Sequence, residues 1–348
     1  RFGGDEFIIV LREYSSLQHL KVRAADILNT ARLPMDLNGQ TFYTSLSIGI
    51  SLFEDHASTV DALIRYADLA MYKAKGAGKN QFVFFDTSLD QHAGEQFEIS
   101  NLLVEALVEN QFELYYQPQI TMETGEICGL EALVRWQHPV KGFISPAKFI
   151  PIAESNGMIV QLGHTILLEA CKMRKQLLDA GIDTIRVAVN ISLKQFQQVD
   201  FTDQVLDILY ATGLDGCYLE LEITESIAMD SPEIVIEKLN ALQEHNIHIS
   251  IDDFGMGYSS LNYLKRLPIQ QLKIDRAFIQ DIDQPNDYAI VKSIISMAES
   301  LSLCVVAEGV ETELQLSLLK SLNCDVVQGY YYYKPMPTKD IFALLQAK

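Results

Sequence analysis

Short apolar runs and helical periodicity alternate along the first 85 residues, and this pattern predicts a small α/β unit. Apolar residues recur every three or four positions over 16–32 and 59–75, which predicts two helices. Gly76 and Gly78 end the second helix. Strands are predicted from the short apolar runs at 7–11, 45–53 and 81–85.

A polar stretch separates this unit from the rest of the chain. Residues 86–96 are mixed and polar, which predicts a linker, and a helix is expected over 97–109. We therefore expect one unit over 1–86, a linker and helix over 87–110, and a second domain over 111–348.

From residue 112 onward, strand and helix patterns repeat in a regular rhythm. Eight predicted strands with alternating helices match the number and size of a (β/α)8 barrel. Only residues 122–125 separate the first two strands, which is too short for a parallel crossover and predicts a hairpin with one antiparallel barrel strand. The strands are predicted at 112–120, 129–136, 186–192, 218–225, 248–254, 271–276, 304–310 and 326–332, and the clearest helices at 164–180, 201–212, 232–245, 287–302 and 312–322.

Composition fits a globular protein of two domains. Of the 348 residues 48% are hydrophobic and 21% charged, and no apolar stretch is long enough to cross a membrane. No secretory signal is present, and the five cysteines form no CxxC pair, so we expect reduced thiols in a cytoplasmic protein. Because the chain starts at Arg1, we expect a fragment of a longer protein whose missing part could carry a membrane anchor.

The charge balance bears on possible partners. Lysine and arginine number 27 against 46 aspartates and glutamates, for a formal net charge of −19. Such a chain repels a nucleic-acid backbone, so we expect no nucleic-acid polymer as partner. A small phosphate ligand stays compatible with this charge, because a bound divalent metal inverts the local sign.

Polar residues interrupt the apolar runs of successive predicted strands. In a (β/α)8 barrel the active site lies at the carboxyl ends of the strands. Taken singly, Glu131 is more simply an edge or solvent-facing residue, but the set together favours a site. Buried carboxylates need cations, and hard oxygen ligands suit two Mg²⁺ or Mn²⁺ ions, as in two-metal phosphoryl hydrolysis. The set consists of Glu131, Asn190, Glu222, Asp252, Asp253, Lys273, Glu308 and Gln328.

Residues 97–348 resemble an EAL domain, the family of cyclic di-GMP phosphodiesterases. The naming motif is Glu131-Ala132-Leu133, and the other signature blocks follow in the family's order. These blocks are Gln117-Pro118 before it and, after it, Val189-Asn190-Ile191-Ser192, Glu222-Ile223-Thr224-Glu225, Asp252-Asp253-Phe254-Gly255, Lys273-Ile274-Asp275, Ala307-Glu308-Gly309-Val310-Glu311 and Gln328-Gly329-Tyr330.

The resemblance implies hydrolysis of cyclic di-GMP to linear 5′-pGpG and a homodimer formed through the barrel. It also assigns roles to single residues. One Mg²⁺ or Mn²⁺ would be held by Glu131, Asn190, Glu222 and Asp252, and a second by Asp253. The attacking water would be oriented and deprotonated by Lys273 and Glu308, which complete the catalytic set with Glu131. The substrate would be contacted by Gln117 and Arg135, while Gln328 would support the site and Glu225 would brace the loop 253–260.

The start of the chain is similar to the C-terminal half of a GGDEF domain, the diguanylate cyclase family. Arg1-Phe2-Gly3-Gly4-Asp5-Glu6-Phe7 and Ala67-Asp68-Leu69-Ala70-Met71-Tyr72-Lys73-Ala74-Lys75 carry this resemblance. It implies that Asp5 and Glu6 serve metal binding and catalysis, and that Lys75 and Lys79 match phosphate-contacting positions. Since the family's first metal-binding strand would lie before Arg1, we expect this fragment not to make cyclic di-GMP; the parent domain could instead sense GTP.

Two functions therefore remain in competition for the barrel. The intact acidic set favours an active phosphodiesterase. Met256, where the family usually has threonine, is the feature that favours a catalytically weak receptor that binds cyclic di-GMP without turnover.

Overall fold

The chain divides into two compact units that are described separately. The boundary falls between Arg1–Ile99 and Ser100–Lys348. Within the described residues no helix is both long enough and apolar enough to span a lipid bilayer. The computed structural model describes residues 1–37, 40–42, 44–76, 78–229, 231–255 and 261–346.

The first unit pairs short strands with two amphipathic helices. β1 and β2 are antiparallel, and β3 and β4 are parallel. Helix α2 (Val60–Gly76) packs so closely on β3 (Ile48–Ile50) that a Cβ at Gly49 would lie only 1.8 Å from the Ala67 carbonyl oxygen. Tyr66 stacks on the buried Phe85 at 4.0 Å between ring centroids. The elements are α1 (Leu17–Ala31), β1 (Met35–Leu37), β2 (Gln40–Phe42), β3 (Ile48–Ile50), α2 (Val60–Gly76), β4 (Phe82–Phe84) and α3 (Thr87–Val108), which crosses the boundary.

Three details of this unit differ from the sequence-based expectation. The strand predicted at 7–11 is wrong, because these residues have no regular structure and their apolar side chains are exposed. An apolar run becomes a strand only where a neighbour satisfies its backbone N–H and C=O groups, and the described residues supply none here. The polar stretch 86–96 lies largely within α3 instead of forming a linker, and the β1–β2 hairpin was not predicted.

Ten strands of the described chain form one sheet in the second unit, and eight of them close a barrel. The predicted (β/α)8 architecture with one antiparallel strand is confirmed. The strands are β5 (Phe112–Thr121), β6 (Ile127–His138), β7 (Gly142–Ile144), β8 (Arg186–Ile191), β9 (Leu219–Thr224), β10 (His248–Phe254), β11 (Gln271–Ile274), β12 (Cys304–Ala307), β13 (Val326–Val327) and β14 (Met336–Pro337).

The order of pairing shows how the barrel closes. It runs β5-β13-β12-β11-β10-β9-β8-β6, and β6 pairs back to β5. β5 is antiparallel to both of its barrel neighbours, whereas the remaining neighbours in this circuit are parallel. β7 and β14 extend β6 and β5 at the rim.

Helices cover the outside of the barrel between successive strands. The five predicted helices correspond to α5, α7, α9, α12 and α13 and begin and end close to the predicted positions, except that α5 starts earlier; the other helices were not predicted. They are α4 (Pro146–Asn156), α5 (Ile159–Asp179), α6 (Leu193–Phe196), α7 (Phe201–Thr212), α8 (Glu225–Ala228), α9 (Pro232–Gln243), α10 (Leu261–Leu264), α11 (Arg276–Gln280), α12 (Pro285–Ser300), α13 (Glu313–Ser321) and α14 (Thr338–Gln346).

The apolar core lies between the strands and these helices, and the inside of the barrel is polar. Along β5, Tyr116 and Ile120 join the hydrophobic core, while the buried Gln117 and Gln119 alternate with them and face the other side. Gln271 Nε2 of β11 donates to Glu220 Oε1 of β9 at 2.7 Å, across the barrel interior, because β10 separates these two strands in the sheet.

A buried arginine ties α5 to the strand that follows it. Arg174 is fully buried, and its guanidinium donates from Nη1 to the Ile182 carbonyl at 3.0 Å and from Nε to the Ile185 carbonyl. The same group lies 4.2 Å from the ring centroid of Tyr218. Burial lowers the pKa of Arg174, and Tyr218 opposes this effect. The arginine thus satisfies two carbonyl groups of the connection between α5 and β8.

We expect Arg174→Met to lower the free energy of unfolding of the barrel by about 2–4 kcal/mol, because it leaves two carbonyls without a donor. Lys172→Met is the matched control on the same helix, since its side chain is about half exposed in an ion pair with Glu169, and it should change stability by less than about 0.5 kcal/mol. Urea unfolding monitored by circular dichroism measures both. Equal losses for the two variants would contradict this role.

Candidate active site

Lys273 lies at the centre of the polar barrel interior, with its side chain fully buried on β11. Its ammonium contacts carboxylates contributed by four other strands or strand ends. Burial lowers the pKa of Lys273, but the surrounding carboxylates outweigh this and hold the pKa well above its usual value. Lys273 Nζ lies 2.6 Å from Glu308 Oε1, 2.8 Å from Glu222 Oε2, 3.3 Å from Asp252 Oδ1 and 3.9 Å from Glu131 Oε1.

The Glu131 carboxylate is held from two sides by side-chain amides. Asn190 Nδ2, on the neighbouring β8, donates to Glu131 Oε1 at 2.7 Å. Gln328 Nε2, just after β13, donates to Glu131 Oε2 at 2.5 Å. Glu131 is 6% exposed, so both oxygens are fixed in a desolvated environment. The side chain is therefore oriented before any ligand is bound.

Burial shifts the pKa values of the acidic groups around Lys273. Burial, and then the charges of Asp252 and Glu131, raise the pKa of Glu308 to about 8, although Lys273 opposes the shift. Burial also raises the pKa of Glu222 well above its usual value, with Glu131 and Asp252 acting in the same direction against Lys273. Four carboxylates around one ammonium leave the cluster short of positive charge.

Asp252 and Asp253 are consecutive, yet both lie near this cluster. Along a regular strand their side chains would point to opposite faces. The β10–β11 register shifts between Ile251 and Phe254, and Asp253 adopts a left-handed backbone with φ of 54°. Burial, followed by Asp252 and Asp275, raises the pKa of Asp253 to about 6, with Lys273 opposing. An irregularity at the strand end thus brings the second aspartate toward the site.

The donor set fits hard divalent cations. Carboxylate and amide oxygens are the ligands that Mg²⁺ and Mn²⁺ prefer. Glu222 Oε1 is buried and has no hydrogen-bond partner in the structure, so it has free capacity for a cation. Over the described ranges no three His, Cys, Asp or Glu side chains are grouped closely enough to hold one ion, and Lys273 Nζ stands between four of the candidate carboxylates. The residue types thus fit the metal, whereas the spacing of the carboxylates is that of a cluster held around Lys273.

The predicted substrate residues lie on the β5–β6 side of the site. Gln117 Oε1 accepts from Gln328 Nε2 at 3.2 Å. The Arg135 guanidinium lies 5.5 Å from the Tyr115 ring centroid, and its pKa is lowered by burial against the opposing effect of Tyr330, Tyr115 and Glu131. Arg135 thus borders the acidic cluster without being fully enclosed.

The loop that Glu225 is predicted to brace begins at the end of β10. Glu225 Oε2 accepts a hydrogen bond from the Gly255 backbone N–H at 3.2 Å, and Glu225 is buried. This contact fits the predicted role. Met256 and the loop residues after it to 260 lie outside the described residues.

The four candidate residues of the first unit are all exposed. Asp5 and Glu6 lie in a turn closed by the Glu6 N–H donating to the Gly3 carbonyl at 2.7 Å. Lys75 lies in the last turn of α2, and Lys79 follows with a positive φ of 59°. Their predicted roles stay predictions, as do those of the barrel residues.

Sequence reasoning missed several residues that adjoin the site. Tyr115 and Tyr330 flank Arg135, and Lys334 Nζ lies 5.4 Å from the Tyr330 ring centroid. The run of tyrosines at 330–333 is visible in the sequence, but it was included in a predicted strand. That strand ends at Val327, so the tyrosines follow it in a turn. Gln119 was also missed, because alternate polar residues in a strand usually face solvent.

Comparison with known proteins gives consistent matches over nearly the whole chain. The EAL domain family matches residues 100–335, and the family described as diguanylate cyclase, GGDEF domain, matches residues 1–81. Cyclic di-GMP phosphodiesterase NbdA of Pseudomonas aeruginosa is 40% identical over 348 residues, which is 100% of this chain and 44% of that protein. Cyclic di-GMP phosphodiesterase PdeR of Escherichia coli is 38% identical over 338 residues, 97% of this chain and 51% of that protein.

Solved structures match the barrel. The PaMucR phosphodiesterase in complex with cyclic di-GMP superposes with a TM-score of 0.69 at 43% identity, covering 70% of this chain and 99% of that one. The EAL enzyme Bd1971 with cAMP and cyclic di-GMP bound gives 0.69 at 34% identity, covering 84% of this chain and 77% of that one. The chain spans about half the length of the curated relatives it matches. The chain belongs to the EAL domain family, with a GGDEF domain match preceding the barrel.

Proposed function

We propose that the barrel hydrolyses cyclic di-GMP to linear 5′-pGpG with two divalent metal ions, Mg²⁺ or Mn²⁺. The observation that carries the proposal is the convergence of four carboxylates on Lys273 at the carboxyl ends of the barrel strands. The relatives NbdA and PdeR, which are named cyclic di-GMP phosphodiesterases, and the PaMucR complex with cyclic di-GMP support this choice of substrate.

The residues divide the chemical work among them. When bound, divalent ions lower the pKa of water and neutralise charge on the phosphate. Glu131, Asn190, Glu222 and Asp252 would hold one ion, and Asp253 would help to hold the second. Glu308, whose carboxylate lies 2.6 Å from Lys273 Nζ, would take a proton from the attacking water. The water oxygen would form the new bond to phosphorus in line as the bond to the 3′ oxygen breaks, and the 3′ oxygen would leave as a hydroxyl by taking up a proton from solvent.

Lys273 and Arg135 supply positive charge at either side of the reacting group. The Lys273 ammonium has three N–H donors that face its carboxylate neighbours, and one of them would turn to the water or to a phosphate oxygen when cations share those carboxylates. Arg135, which is only partly buried, is placed to neutralise a phosphate of the incoming ligand. The hydrogen bond from Gln328 Nε2 to Gln117 Oε1 helps to hold the Gln328 amide against the Glu131 carboxylate.

The proposal predicts formation of 5′-pGpG that depends on metal. Incubation with cyclic di-GMP and Mg²⁺ or Mn²⁺ should yield 5′-pGpG, detected by chromatography. Addition of EDTA should stop 5′-pGpG formation, because it removes the divalent ions that the proposed mechanism requires. Re-addition of Mg²⁺ should restore turnover. Cyclic di-GMP that stays intact with saturating metal but co-elutes with the protein would instead select the receptor function, in which Lys273 occupies the position between the carboxylates.

Removal of Glu131 should abolish this activity while leaving the fold. We expect Glu131→Ala to lower kcat by at least about 100-fold. Removing a residue that only hydrogen-bonds to a metal ligand typically lowers activity by about 10–100-fold, and removing the ligand itself should lower it more. Glu123→Gln, an exposed substitution in the β5–β6 hairpin, is the control and should keep wild-type turnover. Initial rates of 5′-pGpG formation and circular dichroism of both variants check this. Near wild-type turnover in Glu131→Ala would show that the assigned site is wrong.

We also propose that the first unit makes no cyclic di-GMP from GTP. Asp5 and Glu6 are exposed in a turn, and residues 7–11 after them join no sheet within the described chain, so nothing rigid positions the two carboxylates. Incubation of Glu131→Ala with GTP and Mg²⁺ should give no cyclic di-GMP, since this variant cannot remove the product. Accumulation of cyclic di-GMP would overturn this proposal.

Resemblance to the EAL domain family further supports a homodimer formed through the barrel. Analytical ultracentrifugation of the purified chain distinguishes it from a monomer.

A further inference from the structure

Three buried glutamines form a chain of hydrogen bonds that leads to Glu131, and we call Gln117, Gln119 and Gln328 the amide relay. Gln119 Nε2 donates to Gln328 Oε1 at 3.0 Å. Gln328 Nε2 donates to Glu131 Oε2 and to Gln117 Oε1. Gln117 Nε2 donates to the Tyr333 carbonyl at 3.0 Å. None of the three is more than 7% exposed, so water does not substitute for these bonds.

The two ends of the amide relay dictate which way each amide faces. An ionised carboxylate and a backbone carbonyl only accept hydrogen bonds. Gln328 must therefore turn its NH₂ group toward Glu131, which leaves its own carbonyl oxygen facing away and in need of a donor. Gln119 supplies that donor. Without it, the Gln328 amide loses the contact that opposes a flip, and a flip would place a carbonyl oxygen against the Glu131 carboxylate.

Gly129, directly opposite Gln119 on β6, leaves the space that Gln119 needs. A Cβ at position 129 would lie 2.4 Å from Gln119 Oε1 and 3.3 Å from its side-chain carbonyl carbon. Those atoms are the end of a flexible side chain, so a methyl group there would displace the amide and spare the backbone. The lack of a side chain at Gly129 therefore makes room for the Gln119 amide.

We propose that Gln119 is a positioning residue that fixes the orientation of Gln328 and, through it, the Glu131 carboxylate that would bind metal. The inference rests on the proposed metal-dependent function of this site. It adds a residue that touches neither the metal ligands nor the substrate directly. Loss of hydrogen bonds behind a metal ligand typically weakens metal binding by about 10–100-fold.

The test compares metal affinity in the whole chain without substrate. We expect Gln119→Met, which keeps the bulk and removes the donor, to raise the Kd for Mn²⁺ about 10-fold in calorimetric titration. Gln119→Glu should weaken binding at least as much, because a carboxylate there accepts from Gln328 Nε2 and draws it away from Glu131. In the activity assay, the Mn²⁺ concentration at half-maximal rate should rise in parallel, while KM for cyclic di-GMP stays unchanged and excess Mn²⁺ restores kcat.

Gln271→Met is the matched control. Gln271 is another buried barrel glutamine, but its amide donates to Glu220, which is not among the proposed metal ligands, and not to the amide relay. It should lower the melting temperature without changing the Kd for Mn²⁺. If Gln119→Met only lowers the melting temperature in the same way, Gln119 is structural and the proposal fails.

A double-mutant cycle between Gly129 and Gln119 tests the same idea. Gly129→Ala should weaken Mn²⁺ binding in the wild-type background, because the new methyl group pushes the Gln119 amide away. In the Gln119→Ala background the same change should have no further effect, since the displaced amide is absent. Equal effects in both backgrounds would overturn the proposal.

The outcomes separate this inference from the proposed function. Wild-type chain that binds Mn²⁺ but forms no 5′-pGpG refutes hydrolysis and leaves the Gln119 comparison intact. Wild-type chain that binds no Mn²⁺ refutes both. Metal affinities that are the same in wild type, Gln119→Met and Gln119→Glu refute the role of Gln119 alone.

Discussion

The ammonium of Lys273, buried among four carboxylates, is the constraint on which the barrel interior depends. Burying the ammonium without the carboxylates, or the carboxylates without the ammonium, would cost too much desolvation free energy. Their mutual attraction offsets much of that cost. Four carboxylates face a single ammonium, and burial, opposed by Lys273, raises the pKa values of Glu222 and Glu308. The divalent cations proposed above would supply further positive charge at this cluster. The ion pairs that fill the interior and the chemistry proposed for it thus involve the same carboxylates.

Barrel topology explains why residues far apart in sequence meet at this cluster. Parallel strands end on the same face, so single polar residues near the carboxyl ends of β8 to β12 converge there. The antiparallel β5 enters from the opposite direction and supplies Gln117 and Gln119 beside Glu131. Both amides bond to Gln328, which in turn donates to the Glu131 carboxylate. The irregularity at Asp252 and Asp253 adds a second aspartate where regular alternation would have allowed one.

The sequence was sufficient to predict the barrel, its hairpin and the residues around Lys273, because apolar periodicity and isolated polar residues within strands are local signals. It failed where an outcome depends on partners that are distant in sequence. Residues 7–11 have the composition of a strand but no pairing neighbour in the described chain. Gln119 and Arg174 resemble surface residues until the fold encloses them. The bulge before Phe254 arises from the register with β11, which no single segment encodes.

A polar interior is tolerable here because the barrel does not rely on it for hydrophobic stabilisation. The outward faces of the strands pack against the surrounding helices, and residues such as Leu221, Ile249 and Leu272 are almost fully buried there. That layer carries the apolar burial, which in many (β/α)8 barrels is shared with the interior. The inside is then free to hold amides and ions, provided that each one has a partner. Glu222 Oε1 lacks one, and the cost of burying it without a partner would be offset by the divalent cation proposed above.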